Sequence, residues 1–307
     1  MIVVVGEQVV DLVPAGDGLL RAALGGGPAN TAIAAARLGA SVAMAARSGR
    51  DSFGAAFTNR LASSGVDTRY VVPTRQPSAL ALATVDETGE ARYDFWLAGA
   101  ADFNWRYTDL PQLEAGTTIH IGSLAAFLQP GAEAIEDWAL DHQDRCTISF
   151  DPNLRPVALS KPDSLVRLER LAELANVIRV SSDDLHQAYP FTDPLTTARR
   201  WLANCNLVIV THGSSGATAL TNDLEVTCTP PPVSIEDTIG AGDTATGALL
   251  AWLQANPWPS TEAGLGGLLR FVCTAAALNC TRVGADPPVL EEVTRWMNVP
   301  GRDVRRD

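Results

Sequence analysis

The sequence predicts an α/β fold: a three-layer α/β/α sandwich with a mostly parallel central sheet and a small β segment standing off it. Three observations carry this. Short apolar runs of strand length alternate with helical patterns along most of the chain, the rhythm that builds parallel sheets covered on both faces. One stretch, Val66–Ala98, abandons that rhythm for residue-by-residue alternation. A chain of 307 residues, 46% hydrophobic and 19% charged, can bury one large core.

Taken in order, Ile2–Val5 is the first strand. Asn30–Leu38 is an Ala-rich helix stopped by Gly39, Val42–Ala46 a second strand, and Ser52–Ser63 a helix closed by Gly65. Within Val66–Ala98, Ser78–Val85 and Ala91–Leu97 alternate as strands about a turn at Asp86-Glu-Thr-Gly89. The βα rhythm then returns. Strands are expected at Thr117–Ile121, Thr147–Asp151, Val177–Val180 and Leu207–Thr211, and helices at Gly131–Asp141, Ser164–Ala175 and Ala245–Gln254. Ligands of such sheets bind beyond the carboxyl ends of the strands, so the loops that follow strands carry the information.

Charge and cysteine usage exclude several classes. The net charge of −12 argues against a general binder of nucleic acid or anionic membranes. It does not argue against a phosphate ligand held locally by backbone N–H groups. No run of about 20 predominantly apolar residues suggests a spanning helix. The N-terminus lacks a basic region and reads as a strand, which makes the cytoplasm the expected compartment. The five cysteines are scattered, without a CxxC pair, and read as reduced thiols. The four histidines show no metal-ligand spacing.

The strongest chemical signal is Asp237-Thr-Ile-Gly-Ala-Gly-Asp243, followed by a helical pattern. Glycines let the chain turn tightly into a helix whose first N–H groups lack intrahelical partners and face an anion. A carboxylate there would repel a permanent anion. Asp243 makes sense beside a hydroxyl attacking a phosphoryl group that the N–H groups of Gly240, Ala241 and Gly242 hold. Two other readings stand beside this one. Gly240–Ala245 also satisfies G-x-G-x-x-A, a dinucleotide fingerprint, although that motif belongs after a first strand and here follows Pro230-Pro-Pro232 late in the chain. The segment could also be a plain helix cap. A second cluster, Gly25-Gly-Gly-Pro-Ala-Asn30, opens the first long helix. Its small residues would let a substrate approach, Asn30 could bond hydroxyls, and Asp11 could hold a pair of them; each is equally readable as structural.

Together these motifs resemble the paired signatures of the PfkB (ribokinase-like) carbohydrate kinases, most closely the fructokinase-like members. Further segments match in order: Ser48-Gly-Arg-Asp51-Ser-Phe-Gly54, Asp151-Pro-Asn-Leu-Arg155, Val210-Thr-His-Gly-Ser-Ser-Gly216, and Asn279-Cys-Thr-Arg-Val-Gly284-Ala-Asp-Pro-Pro288. The resemblance implies a ribokinase-like kinase domain over residues 1–307. Its lid would be formed mainly by 66–98, with a contribution from 12–22, and would close over the sugar. It implies transfer of the ATP γ-phosphate to a primary hydroxyl of a small sugar such as fructose. The alternatives are a 2-keto-3-deoxygluconate, ribose or nucleoside kinase, or a non-catalytic sensor. Asp243 would be the base and Gly240, Ala241 and Gly242 the anion hole. Asp11, Gly26, Gly27, Asn30, Phe95 and Arg155 would meet the sugar, Arg155 being equally readable as a surface ion pair. Tyr93, Trp96 and Phe103 are further candidates to shape that pocket. Ser181, Thr211, Gly213, Gly216 and Asn279 would line the nucleotide, with Asn279 near the adenine.

The chain departs from the family at Ser181-Ser-Asp-Asp184, where N-x-x-E is usual. Asp184 would organise Mg²⁺ through water, and K⁺ would sit by the Asp237 loop. Glu7, where relatives often carry Asp, is given no role. An exposed lid edge invites pairing with a second chain, so a homodimer through the lid is expected.

Overall fold

The computed structural model describes residues 1–85 and 91–298, with backbone alone at 83, 85 and 91–93. The turn expected at 86–89 and the Tyr93 side chain lie outside it. In chain order the strands are β1 (Ile2–Val5), β2 (Val9–Pro14), β3 (Leu20–Leu24), β4 (Val42–Gly49), β5 (Asp67–Thr74), β6 (Ala79–Val85), β7 (Ala91–Trp96), β8 (Thr118–Gly122), β9 (Thr147–Asp151), β10 (Val177–Ser181), β11 (Leu207–Thr211), β12 (Ala217–Leu220) and β13 (Glu225–Cys228). The helices are α1 (Gly27–Arg37), α2 (Ser52–Ser63), α3 (Gly131–His142), α4 (Pro156–Leu159), α5 (Ser164–Leu174), α6 (Ser182–Ala188), α7 (Pro194–Trp201), α8 (Ala241–Ala255), α9 (Glu262–Asn279) and α10 (Leu290–Met297).

Among the described residues the strands form two sheets. The larger has the order β13-β12-β11-β10-β9-β8-β1-β4-β5. It is parallel from β11 to β5, and β12 and β13 are added antiparallel at one edge. From β1 the chain builds outward through β4 and β5, then returns to build the other way from β8. The crevice at the carboxyl ends of β1 and β8 is therefore the topological switch point, where such sheets bind ligands.

Alternation along each central strand feeds two cores. Val3 and Val5 face one side with Ile119, Ile148, Phe150, Ile178 and Val208, covered by Trp138 of α3, Leu168 of α5 and Trp201 of α7. Ile2 and Val4 face the other with Val42 and Met44, against Ala32 and Ile33 of α1 and Leu61 of α2. On that second side Leu207 and Ile209 meet Leu249 of α8 and Leu268 of α9. These are the expected helical layers. Within the second, α1 and α8 pack at the closest possible range, because a Cβ on Gly247 would lie 2.5 Å from Ala34 Cβ. Two distant stretches of chain thus present their N-terminal ends to one place.

The smaller sheet has the order β3-β2-β6-β7. Its make-up differs from the expectation for 66–98, which divides between the sheets. β5 runs parallel to β4 on the edge of the large sheet, and only β6 and β7 join the small one. The other half comes from residues 9–24, with β2 parallel to β6 and antiparallel to β3. A half-buried edge strand and a free-standing strand share the same period of two, so alternation alone could not separate β5 from its successors. Asp11, Ala81 and Phe95 are register partners and share one face; Leu12, Leu82 and Asp94 share the other. The buried Asp102 carboxylate fastens the start of both parallel strands, accepting from Gln8 N–H at 2.8 Å and Ala79 N–H at 3.3 Å.

Candidate active site

The site forms where α8 begins. Gly240 caps that helix with φ +76°, a left-handed conformation that favours glycine, and a Cβ there would lie 2.5 Å from Ala285 Cβ. The helix starts at Ala241, four residues before the predicted Ala245. Glycine and aspartate are weak helix formers, so the pattern became visible only after them. Asp243 consequently sits in the first helical turn. Ala241 N–H is already bonded to Thr238 O at 3.2 Å. The N–H groups of Gly240, Gly242 and Asp243 have no backbone acceptor among the described residues, so of the expected donors only Ala241 is taken, and Asp243 N–H is available beside them.

Asp243 is held from two sides. Asn30 Nδ2 donates to its Oδ2 at 2.9 Å, and Asn153 Nδ2 reaches its Oδ1 at 3.4 Å. Thr31 Oγ1 donates to its backbone carbonyl at 3.4 Å. Burial pushes the Asp243 carboxyl above the usual range; the Asn30 bond and the charges of Arg155 and Arg179 pull it down, and Asp151 pushes it up. Gly27 leaves the floor of the site open, since a Cβ would stand 2.5 Å from Asn153 Nδ2 and 3.2 Å from Asp243 Oδ1.

Beneath the α8 terminus lies a buried polar network. Arg179 donates to Asp151 Oδ2 at 3.1 Å and to Thr211 Oγ1 at 2.6 Å, and Thr246 Oγ1 donates to the same Asp151 oxygen at 2.5 Å. A Cβ on Gly242 would come within 3.0 Å of Arg179 Nη1, so glycine there lets a guanidinium lie directly against the anion-facing turn. Sequence reasoning gave no role to Arg179, Thr246 or Asn153. A lone arginine in an apolar strand gives no local sign of its partners, and only the parallel register β9-β10-β11 brings Asp151 and Thr211 to its sides. Glu7, likewise unassigned, is buried and accepts from Ala125 N–H at 2.9 Å, joining the ends of β1 and β8.

On the small-sheet side, burial raises the Asp11 carboxyl to about 6; Arg155 lowers it and Asp243 raises it further. Both charges act on Asp11 because it faces the same cleft. Gly25 packs on this carboxylate, and Gly26, at φ +98°, would place a Cβ 2.6 Å from Glu7 O. The turn that presents Asp11 therefore needs both glycines. Phe95 is partly buried on the Asp11 face. Trp96 is exposed on the opposite face, so it does not line a pocket at Asp11, and Phe103 is buried in the core against which Phe95 packs. Arg155 is exposed, donates to Leu154 O at 3.1 Å, and has no ion pair among the described residues; its charge acts on Asp11, Asp184 and Asp243.

The expected nucleotide residues are placed unevenly. Ser181 and Asp184 form a capping box at α6, and the buried Asp184 carboxylate also accepts from Leu154 N–H at 3.0 Å. Burial pushes that carboxyl up, as does Asp151. Thr211 ends β11, and Gly213 and Gly216 bound the turn that follows. Gly216 lies against Cys228 O, and His212 bonds Thr218 Oγ1 at 3.0 Å. Asn279, expected to lie near an adenine, turns inward. It is fully buried, bonding Ile239 O at 2.8 Å and Thr244 Oγ1 at 3.2 Å, and so braces the glycine turn from behind. Asp237 joins two loops by accepting from Ile239 N–H at 2.9 Å and Gly284 N–H at 2.7 Å. Among the described residues no cluster of His, Cys, Asp or Glu could hold a metal ion by itself, and no helix is long and apolar enough to cross a membrane.

Free N–H groups beside a fixed carboxylate, at the switch point of a parallel sheet, suit a phosphoryl group and the alcohol receiving it. A family model described as pfkB family carbohydrate kinase matches residues 1–292, and the chain belongs to that family. It is a sugar kinase, a phosphotransferase with an alcohol group as acceptor. A fructokinase of Klebsiella pneumoniae is 33% identical over 288 residues, covering 92% of this chain and 94% of its own. The ribokinase-like fold is shared with fructokinase from Vibrio cholerae in its fructose, ADP and calcium ion bound form, at TM-score 0.87, 27% identity, and 97% and 98% coverage. The aminoimidazole riboside kinase of Salmonella enterica, complexed with aminoimidazole riboside and an ATP analog, gives TM-score 0.86, 25% identity, and 97% and 99% coverage.

Proposed function

We propose that the chain transfers the γ-phosphate of ATP to a primary hydroxyl of fructose, with Asp243 as general base. The observation that carries this is the Asp243 carboxylate itself. It is fixed at the start of α8 by Asn30, and its Oδ1 lies over the open floor at Gly27. Fructose as the acceptor is supported by the fructokinase relatives at about 30% identity.

In this reading Asp11 and Asn30 hold sugar hydroxyls, with Gly26 and Gly27 giving them room. Asp243 Oδ1 takes the hydroxyl proton as the sugar oxygen bonds phosphorus and the bond to the ADP oxygen breaks. The Gly242 and Asp243 N–H groups hold the phosphoryl oxygens, with the helix dipole and the Arg179 charge behind them. Thr211, Gly213 and Gly216 line the nucleotide. Mg²⁺ would neutralise phosphate charge; Asp184, whose carboxylate already accepts from Leu154 and Ser181 N–H groups, fits contact through water. K⁺ would lie among carbonyls of the loop that Asp237 braces. The small sheet serves as the lid, excluding water over the sugar. Its outer face carries Leu12, Leu82 and the exposed Leu20 and Trp96, which supports a homodimer through the lid.

A riboside is the second reading, supported by the likeness to the aminoimidazole riboside kinase. Both are tested by ADP release with ATP and Mg²⁺ across fructose, ribose, 2-keto-3-deoxygluconate, tagatose, adenosine and aminoimidazole riboside. Fructose should turn over fastest, and Asp243→Asn should lower kcat by about 10²- to 10⁴-fold. Undiminished turnover in that variant would remove Asp243 from its role. Preference for a riboside would replace the first reading by the second.

A further inference from the structure

We propose that Arg60 is a positioning residue that fixes the orientation of the Asn30 amide and, through it, the Asp243 carboxylate. This rests on the reading of Asp243 as base.

Arg60 lies in the last turn of α2, with its guanidinium turned inward. It donates to Leu24 O at 2.5 Å, Ala285 O at 3.0 Å and Asn30 Oδ1 at 3.2 Å. Those acceptors belong to β3 at one edge of the small sheet, the loop packed on Gly240, and α1. Guanidinium has donors only, so Asn30 can offer it only Oδ1. Nδ2 must then face Asp243, where it bonds Oδ2 at 2.9 Å. The flipped amide would set NH₂ against the guanidinium and Oδ1 against the carboxylate, losing both bonds at once. With Asn30 so fixed, Asp243 Oδ2 is occupied, and Oδ1, met only by the long 3.4 Å contact of Asn153 Nδ2, faces the incoming hydroxyl. Among the described residues Arg60 has no carboxylate at ion-pair distance, although burial lowers its pKa. Arg60 is half-buried, with Arg37 lowering its pKa further and the Asp243 and Asp286 charges raising it. A cation whose hydrogen bonds go only to neutral oxygens is a costly structural brace, whereas as an orienting donor it has a specific task.

The other charged groups acting on Asp243 are Asp11 of β2, Asp151 of β9, Arg155 of the following loop and Arg179 of β10. All remain when Arg60 is changed. Removing Arg60 frees the amide to flip and withdraws one cation, so both effects favour protonated Asp243. We would measure kcat, KM and melting temperature against pH for Arg60→Met, Asn30→Ala, the double variant and Asp243→Asn, using the panel sugar turned over fastest. Arg60→Met should lower kcat at neutral pH about tenfold and move its acid limb up by about one unit, leaving KM for ATP unchanged. In the Asn30→Ala background the same change should cost clearly less than it does alone, since only the loss of the cation remains.

Additive losses, or a uniform loss at every pH, would overturn the proposal; a merely structural arginine gives that result. If Arg60→Met does not stay folded, Arg60→Lys replaces it in the same cycle. Its ammonium cannot span the three acceptors, so the same non-additivity is expected and additivity again overturns. An inactive Asp243→Asn beside wild-type profiles for the Arg60 variants would sink only the Arg60 assignment. An active Asp243→Asn, or a panel without turnover, would sink both.

Discussion

Gly27→Ala separates the chemistry of the site from the stability of the fold. Gly27 opens α1 at a φ outside the left-handed region, so alanine there forces no left-handed backbone on a side chain. The added methyl, however, would lie 2.5 Å from Asn153 Nδ2, 3.2 Å from Asp243 Oδ1 and 3.3 Å from Ser123 Oγ. Ordinary contact begins near 3.4 Å, so the Asn153 amide must retreat by 3.4 − 2.5, about 0.9 Å. That breaks its 3.4 Å contact with Asp243 and puts carbon where the hydroxyl oxygen should arrive. Displacements of about 1 Å at a reacting centre cost about 10²-fold. We therefore expect kcat/KM for the sugar to fall at least about 10²-fold in an ADP-release assay, with the melting temperature within about 3 °C of wild type. A variant within about threefold of wild-type kcat/KM would refute the placement of the acceptor over Gly27. So would a large drop in melting temperature, which would assign the loss to the backbone.

Gly26→Ala should behave in the opposite way. It forces φ +98° on a side chain and a Cβ 2.6 Å from Glu7 O, so it should cost about 1–3 kcal/mol or more and show in a urea melt; unchanged stability would count against it. The Asp11 carboxyl, raised to about 6, loses its charge as pH falls through that value in the free enzyme. Sugar kcat/KM should therefore decline below about 6, and Asp11→Asn should remove that part of the acid limb; an unchanged limb would take Asp11 off the sugar. Burial raises Asp102 to about 7 from 3.8, so the folded state holds its proton more tightly than the unfolded chain. Its contribution to stability is complete below the unfolded value and is lost as pH rises through about 7. Melting temperature should fall across that interval and fall less in Asp102→Asn; equal slopes would rule out Asp102 as the source.

The large sheet was readable because its central strands are buried on both faces and its helices carry a single apolar stripe. Both signals are local, and the expected Ser52–Ser63, Thr147–Asp151 and Leu207–Thr211 agree with α2, β9 and β11 residue for residue. What could not be read was which strand joins which sheet. The pairing of β2 with β6 spans roughly 70 residues of sequence, and nothing in Val9–Pro14 announces it. The site was legible where glycine geometry dictated composition, as at Gly26, Gly240 and Gly242. It was illegible where a polar side chain acts across the fold: Arg60 on Asn30, Asn153 on Asp243, Arg179 between Asp151 and Thr211. At Asn279 the motif position fixes the residue type without saying which way the side chain turns, here toward Ile239 O and Thr244 Oγ1.

The split of the site between two sheets has a consequence for how such a protein can be changed. Asp243 and its N–H donors hang from the large sheet, whereas Asp11 and Phe95 belong to two short stretches, 9–24 and 79–96, of the small one. In the proposed reading, part of the choice of acceptor is thus written in pieces of the gene separable from those for phosphate transfer. Exchanging those two stretches for their counterparts from a relative amounts to a graft. The recipient keeps its catalytic turn, and the joints to preserve are few: the glycine run 25–27 and the two backbone N–H groups that Asp102 holds. New acceptors could be sampled this way by recombination, with the phosphoryl-transfer end left untouched.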